Sequence, residues 1–333
     1  MNPTHIYSAI YQASLRRSGT SFFQKVYAAL FQRIRRNLIN LIDPDVAMTI
    51  HGKTLLMPMS HNLPMFVSPG SLVDTLPTRL AAYIRSDGGN LHLIDIGANI
   101  GDTAIACKCE KGDTALVIEP NSLYYPYLQK NLADCAAHVS FSQKTCGANN
   151  ETHYFSVKTE NGTARMVQDS HGKATEIYDL TSICKAHQFE RCNLLKIDTD
   201  GYDLECIQGA MQIIEEQKPF ILFEADVFSN PEYGHDLLGC VNKLKSACYT
   251  HLLLYTHLGE LFTIVDMEDP AQMLFAIFYQ VTSSRLYYDI LALNSSNGFI
   301  QQELQFFKKR ATDPARKASA EYIWQLQSEK YRP

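Results

Sequence analysis

A chain of 333 residues exceeds one average domain but fits a single large α/β domain with additions, and 46% hydrophobic with 20% charged residues allows a sizeable core. A formal net charge of -5 gives no general attraction to phosphate backbones, which argues against nucleic acid as a partner. The chain has no uninterrupted apolar run of about 18 residues and no basic start followed by an apolar block, so the expectation is a cytoplasmic protein.

Residues 21 to 42 predict a helix. Ser21 and Gln24 have capping-box spacing, Phe23, Tyr27, Leu30, Ile34, Leu38 and Leu41 repeat at helical period, and Asp43-Pro44 ends the run. Lys25, Arg33, Arg35 and Arg36 are assigned to its outer face. Such a basic amphipathic helix can lie on an anionic membrane surface or dock onto a partner, although packing of the apolar stripe on its own domain is the commoner arrangement. The stretch "VAMTIHGKTLLMPM" alternates around His51-Gly52 and predicts a hairpin.

From about residue 78 apolar runs alternate with amphipathic stretches. Strands are predicted over 91–96, 114–119, 138–143, 193–198 and 219–225, and helices over 101–110, 122–134, 180–188, 203–216 and 234–247. This rhythm reads as a doubly wound, mostly parallel sheet covered on both faces. "HLLLYTHLGELFTIVD" then predicts an antiparallel hairpin at the sheet edge, and the last forty residues read as helical. The domain division that follows is 1–44 for a basic helical extension, 45–290 for the α/β domain and 291–333 for a helical tail. Residues 159–175 are the longest candidate loop. The nine cysteines form no Cys-x-x-Cys pair and are expected as reduced thiols.

"LIDIGANIGDTA" is strand, turn and helix, with Gly97 allowing the turn and Gly101 allowing a close helix start. A dinucleotide fingerprint would have a glycine where Asn99 stands. Asp95 at the strand tip would repel a diphosphate and suits a cationic ligand. Glu119 ends the next strand, where an acid can accept both hydroxyls of a ribose. Together Asp95, Gly97, Gly101 and Glu119 outline a nucleoside with a positively charged extension, the description of S-adenosylmethionine.

"LIDIGANIGDTA", "VIEPN" at 117 to 121, "LLKIDTDGYDLECIQGA" at 194 to 210 and "PFILFEAD" at 219 to 226 resemble, in order and spacing, the FkbM family of S-adenosylmethionine-dependent methyltransferases. The chain departs from the family pattern in carrying Asp200 and Asp203 where glutamates are usual. The resemblance implies a class I methyltransferase fold and methyl transfer to an oxygen, most often a hydroxyl on a sugar, glycan or natural-product intermediate. Asp95, Gly97, Ala98, Asn99, Gly101, Glu119, Pro120 and Asn121 are the expected donor site.

A hydroxyl acceptor has to lose its proton near the reacting methyl, which calls for a general base or hydrogen-bond acceptor at the strand ends. Asp198 is the first candidate, at the donor's methionine end or orienting the acceptor, and Glu224 is the alternative base. Asp203 is expected to cap the next helix after a turn at Gly201, Asp200 stays unassigned, Lys196 is expected to pair with the neighbouring acids, and His235 is read as incidental. Asp198, Asp200 and Glu224 are oxygen donors of the kind hard cations prefer, but a sulfonium can itself neutralise them, so no metal is expected. Two rival readings are a nicotinamide-dependent oxidoreductase and a silent methyltransferase-like module that binds donor or partner in glycan assembly or at a membrane. The sequence leaves the acceptor and the oligomeric state open.

Overall fold

A computed structural model describes residues 3–15, 22–67, 70–160, 163–169, 171–225, 232–269, 271–282, 287–294 and 297–331. The first elements are two helices, α1 (Pro3–Leu15) and α2 (Phe22–Leu41), and two strands, β1 (Asp45–Ile50) and β2 (Lys53–Pro58). After α3 (Leu63–Phe66) and α4 (Leu76–Ser86) come β3 (His92–Ile96), α5 (Asp102–Ala106), β4 (Thr114–Ile118), α6 (Tyr125–Leu132) and β5 (His138–Ser142). Four further strands follow: β6 (Thr145–Cys146), β7 (Glu151–Glu160), β8 (Thr163–Gln168) and β9 (Lys173–Tyr178). They lead into α7 (Leu180–His187), β10 (Leu194–Ile197), α8 (Asp203–Gly209), α9 (Met211–Gln217), β11 (Phe220–Ala225) and α10 (Tyr233–Ser246). The remaining elements are β12 (His251–Thr256), β13 (Leu261–Asp266), α11 (Ala271–Thr282), β14 (Tyr288–Leu293), α12 (Asn297–Lys309) and α13 (Pro314–Lys330).

The main sheet has eight strands in the order β13-β12-β14-β11-β10-β3-β4-β5. Strands β11, β10, β3, β4 and β5 are parallel, whereas β14 runs antiparallel to both β11 and β12. Alternate residues of the parallel strands enter two separate cores. Ile94, Ile96, Leu116, Leu195, Ile197 and Phe223 face one, and Leu93, Ala115, Val117, Leu194 and Leu222 face the other. Both faces are therefore apolar, as a sheet wound on both sides requires. The chain leaves β3 toward β4 and β5 and then returns to β10 on β3's other side. That reversal opens a crevice at the carboxyl ends of β3 and β10, the place where open α/β sheets hold ligands.

All five predicted parallel strands and the hairpin β1–β2 form, the latter pairing Ile50 with Lys53 across His51-Gly52. The hairpin β12–β13 lies at the sheet edge, but β14 stands between it and β11. Residues 159–175 are not one long loop, because much of that stretch is strand within a four-stranded sheet of order β6-β9-β7-β8. The boundary drawn at 290 falls inside β14, and α12 beyond it buries Phe299, Ile300 and Leu304 in the core. Arg79 fixes that helix through a doubly bonded pair with the fully buried Glu303, at 2.7 and 2.9 Å, and the Tyr255 hydroxyl donates to the same carboxylate.

The basic helix differs from its expected packing. Ala28 is buried and Leu38 and Ile39 pack against the cluster around β1 and β2, but Phe23, Tyr27, Leu30 and Leu41 of the predicted apolar stripe are exposed. Arg35 points inward instead of outward, with its guanidinium 4.1 Å from the Tyr11 ring centroid and donating to the Met59 carbonyl at 3.0 Å. The capping box proposed for this helix includes Ser21, which lies outside the described residues.

Candidate functional site

A cleft at the ends of β3, β4 and β10 is lined by Gly97, Asn99, Glu119, Pro120, Asp198 and Asp200, with Asp102 and Lys196 contributing from its walls. Gly97 sits at φ 77°, and a Cβ there would lie 1.8 Å from the backbone oxygen of Asp198. Only a glycine lets the β3 and β10 tips approach this closely. Gly101 has a different task from the expected one: a Cβ there would meet Leu128 and Leu132 of α6 at 3.1 Å, so its missing side chain admits helix packing, and it does not line the cleft.

The loop spends its own amides. Gly97 and Ala98 donate to the Ile118 carbonyl, Asn99 donates to Glu119 Oε2 at 2.8 Å, and Gly101 donates to the Ala98 carbonyl. Glu119 Oε1 accepts from the Asn121 amide at 2.8 Å. Glu119 is thus locked across the loop at 6% exposure, and burial pushes its carboxyl up to about 7 while these backbone donors pull it down. A diphosphate would find these four loop amides already taken. It would also face the carboxyls of Asp74, Asp102, Glu119, Asp198 and Asp200 against the single lysine, Lys196. Neutral ribose hydroxyls and a cationic group suit that lining.

Asp95 does not line the cleft. It is fully buried beneath it, opposite Lys196 in the parallel ladder, with the Lys196 ammonium 3.5 Å from one carboxylate oxygen. Lys196 also reaches Asp198 at 3.2 Å, as the shared strand face predicts. Burial raises the Asp95 carboxyl to about 6 against the pull of Lys196. Its part is to place a charge under the floor, not to touch a ligand. Ala98 is likewise buried and outside the lining, and Asn121 acts through Glu119 and through the Leu123 amide, which donates to its side chain.

Asp203 is not a helix cap. It is the first residue of α8, accepts from the Thr199 amide and hydroxyl, and accepts from the Glu224 amide at 3.3 Å, so it ties the turn after β10 to β11. Asp200 takes the left-handed backbone position at φ 53° followed by Gly201, and it lines the cleft. His235 is on α10 with its side chain 87% exposed, away from the cleft lining.

A second cavity of about 910 Å³ adjoins the first, and Leu63, Phe66, Asp74 and Asp198 line both. Glu224 and Asp289 line this second cavity and not the first. They are direct partners in the antiparallel β11–β14 ladder, so two carboxyl groups oppose each other on one face. Burial, followed by the neighbouring carboxylates, holds Glu224 well above the usual carboxylate range and lifts Asp289 to about 8. Asp198, Asp200 and Glu224 each bring an oxygen within 4.8 Å of the others, so the three donors named from the sequence do converge.

Several cleft residues had no sequence signal. His61, Asn62 and Asp74 come from segments before the strand-and-helix alternation begins, Tyr124 directly precedes α6, and Thr145 opens β6. His61 bonds Asn99 Oδ1 at 3.2 Å and takes the Leu63 amide on its other nitrogen. Asp102, as the residue after Gly101 in the glycine motif, and Thr199 and Tyr202, inside the block at 194 to 210, were within reach of sequence reasoning.

The profile of the methyltransferase FkbM domain matches residues 95–249. None of the curated proteins matches the sequence. Among solved structures, the chain is similar to an FkbM methyltransferase of Methylobacillus flagellatus at 16% identity and TM-score 0.38, covering 77% of this chain and 57% of that one. It is also similar to a precorrin-6y C5,15-methyltransferase of Geobacter metallireducens at 13% identity and TM-score 0.35, covering 70% of this chain and 96% of that one. A ribosomal protein L11 methylase of Lactobacillus delbrueckii subsp. bulgaricus aligns at 11% identity and TM-score 0.32, covering 66% of this chain and 78% of that one.

Proposed function

Taking as premise that residues 95–249 are an FkbM methyltransferase domain, a family whose donor is S-adenosylmethionine, we propose that this chain transfers a methyl group to a hydroxyl of a sugar, glycan or natural-product intermediate. The observation that carries the reading is Glu119. It lines the cleft with each oxygen fixed by one backbone amide, which leaves further lone pairs for two ribose hydroxyls. When bound, S-adenosylmethionine supplies a methyl group on a positively charged sulfur, an excellent leaving group. Gly97, Asn99, Glu119 and Pro120 would hold its nucleoside end, and Asp102, Asp198 and Asp200 would offset its charge.

The second cavity is the place for the acceptor. Asp198 belongs to both spaces, so it is the group that can take a hydroxyl proton where the two meet. Glu224 lines the second cavity and not the first, and burial raises its carboxyl well above the usual carboxylate range, so it would face the acceptor as the alternative proton-handling group to Asp198. Lys196, 3.2 Å from Asp198 and 3.5 Å from Asp95, orients the Asp198 carboxylate. This chemistry asks mainly for alignment, and a positioned base contributes about 10²- to 10⁴-fold.

The test is a screen of sugar and lipid-linked sugar acceptors with radiolabelled donor, run beside calorimetry with S-adenosylhomocysteine and with NAD. Asp198→Asn should bind the donor product like the parent and lose at least about 100-fold in turnover. Tight NAD binding, or parental turnover by Asp198→Asn, would refute the proposal.

A further inference from the structure

The helix α2 carries Lys25, Arg33, Arg35 and Arg36 and no acidic residue, in a chain whose net charge is -5. Its inner side is already satisfied by Ala28, Leu38, Ile39 and the Arg35 bonds to Met59 and Asn62. On its outer side Phe23 is 83% exposed, Val26 49%, Tyr27 41% and Leu30 53%. Positions 23, 26, 27 and 30 fall on one stripe of a helix. Lys25, Arg33 and Arg36 are also exposed, and helical geometry sets them in a strip beside the apolar one. The two carboxylates that follow the helix are engaged elsewhere, Asp43 by Ser60 and Asp45 by the Tyr127 hydroxyl.

We propose that the outer face of α2 binds an anionic lipid bilayer, with Phe23, Val26, Tyr27 and Leu30 entering the headgroup boundary and Lys25, Arg33 and Arg36 meeting lipid phosphates. An apolar stripe flanked by basic residues is the signature of a helix that lies in the membrane interface, and the charges select an acidic surface. Helix α11 also exposes Leu274, Phe275, Phe278 and Tyr279, but it carries no charged residue and so offers nothing to an anionic surface. The inference rests on α2 alone and stands apart from the methyl-transfer reading. It has a spatial consequence. Arg35, on the inner side of the same helix, bonds Asn62 and lies 3.7 Å from the Met65 sulfur at the rim of the larger cavity. That rim therefore sits about one helix diameter, roughly 10 Å, from the lipid-facing side.

The experiment is co-sedimentation of the full chain with phosphatidylcholine vesicles, with and without phosphatidylglycerol, over a range of salt. Binding should require phosphatidylglycerol and weaken with salt. Arg33→Glu with Arg36→Glu should lower the partition coefficient by at least about 30-fold, since each basic residue near such a surface contributes about fivefold. Leu30→Ser, at a half-exposed position, should lower it about fivefold without affecting the melting temperature. Phe278→Ser on α11 should leave it unchanged. Equal binding to neutral vesicles, indifference to the charge reversal, or loss of binding in Phe278→Ser would overturn the proposal. So would a dimer in ultracentrifugation that Leu30→Ser disperses, because the stripe would then be a contact between two copies.

Discussion

Replacing Gly97 with alanine tests the physical core of the site. The new methyl would lie 1.8 Å from the Asp198 carbonyl oxygen and 2.8 Å from its carbon, both backbone atoms that cannot rotate aside. The left-handed backbone at φ 77° adds about 1–2 kcal/mol for any residue with a Cβ. Relief requires the tips of β3 and β10 to part, which breaks the bond from the Asp198 amide to the Ile96 carbonyl at 3.0 Å. A buried bond lost in this way costs about 1–3 kcal/mol, for a total of about 2–5 kcal/mol. In a protein of 333 residues, where each kcal/mol is worth about 1.4 °C, that lowers the melting temperature by roughly 3–7 °C. The same movement drags Asn99 away from Glu119, so affinity for S-adenosylhomocysteine should drop at least about tenfold. Gly239→Ala is the control. It lies inside α10 with nothing within 4 Å of the added methyl, and should stabilise by about 0.5–1 kcal/mol. The assays are differential scanning calorimetry and titration with the donor product. If Gly97→Ala melts and binds like the parent, the close approach of the two strand tips is not what shapes the cleft.

Glu119→Gln keeps the shape but sets an amide group against the Asn99 or Asn121 N–H, and should weaken S-adenosylhomocysteine about 10- to 100-fold by calorimetry. The carboxyls of the buried Asp203 and the half-buried Asp289 make stability fall as pH rises: unfolded, they lose protons near about pH 4, whereas folded Asp203 holds its proton to about 7 and Asp289 to about 8. The folded state binds more protons throughout that window, so the melting temperature of the free protein should decline from about pH 5 to about pH 8, and Asp289→Asn should flatten the decline. Glu303→Ala strands the Arg79 guanidinium at a nearly buried position and should cost about 3–5 kcal/mol in a denaturant titration, with donor affinity retained.

The division between sequence and structure follows the range of the forces involved. Short-range patterning was enough to fix the five parallel strands and the hairpin at His51-Gly52, because a strand buried on both faces must be a continuous apolar run and a tight turn needs its own residues. It also marked Gly97, Glu119 and Asp198, each of which ends a strand and so carries its role in its immediate neighbours. The strands β7 to β9 escaped because they form a sheet apart from the main one, with Glu151, Thr152, Lys173 and Glu176 exposed among the described side chains and no continuous apolar run. Three assignments depended on contacts that no local pattern encodes. Asp95 is a buried partner of Lys196, Asp203 is a tie to β11, and Arg35 is an inward pin on Met59. Their partners lie 101, 21 and 24 positions away. What a carboxylate or guanidinium does depends on what it is buried against, and only the folded chain decides that.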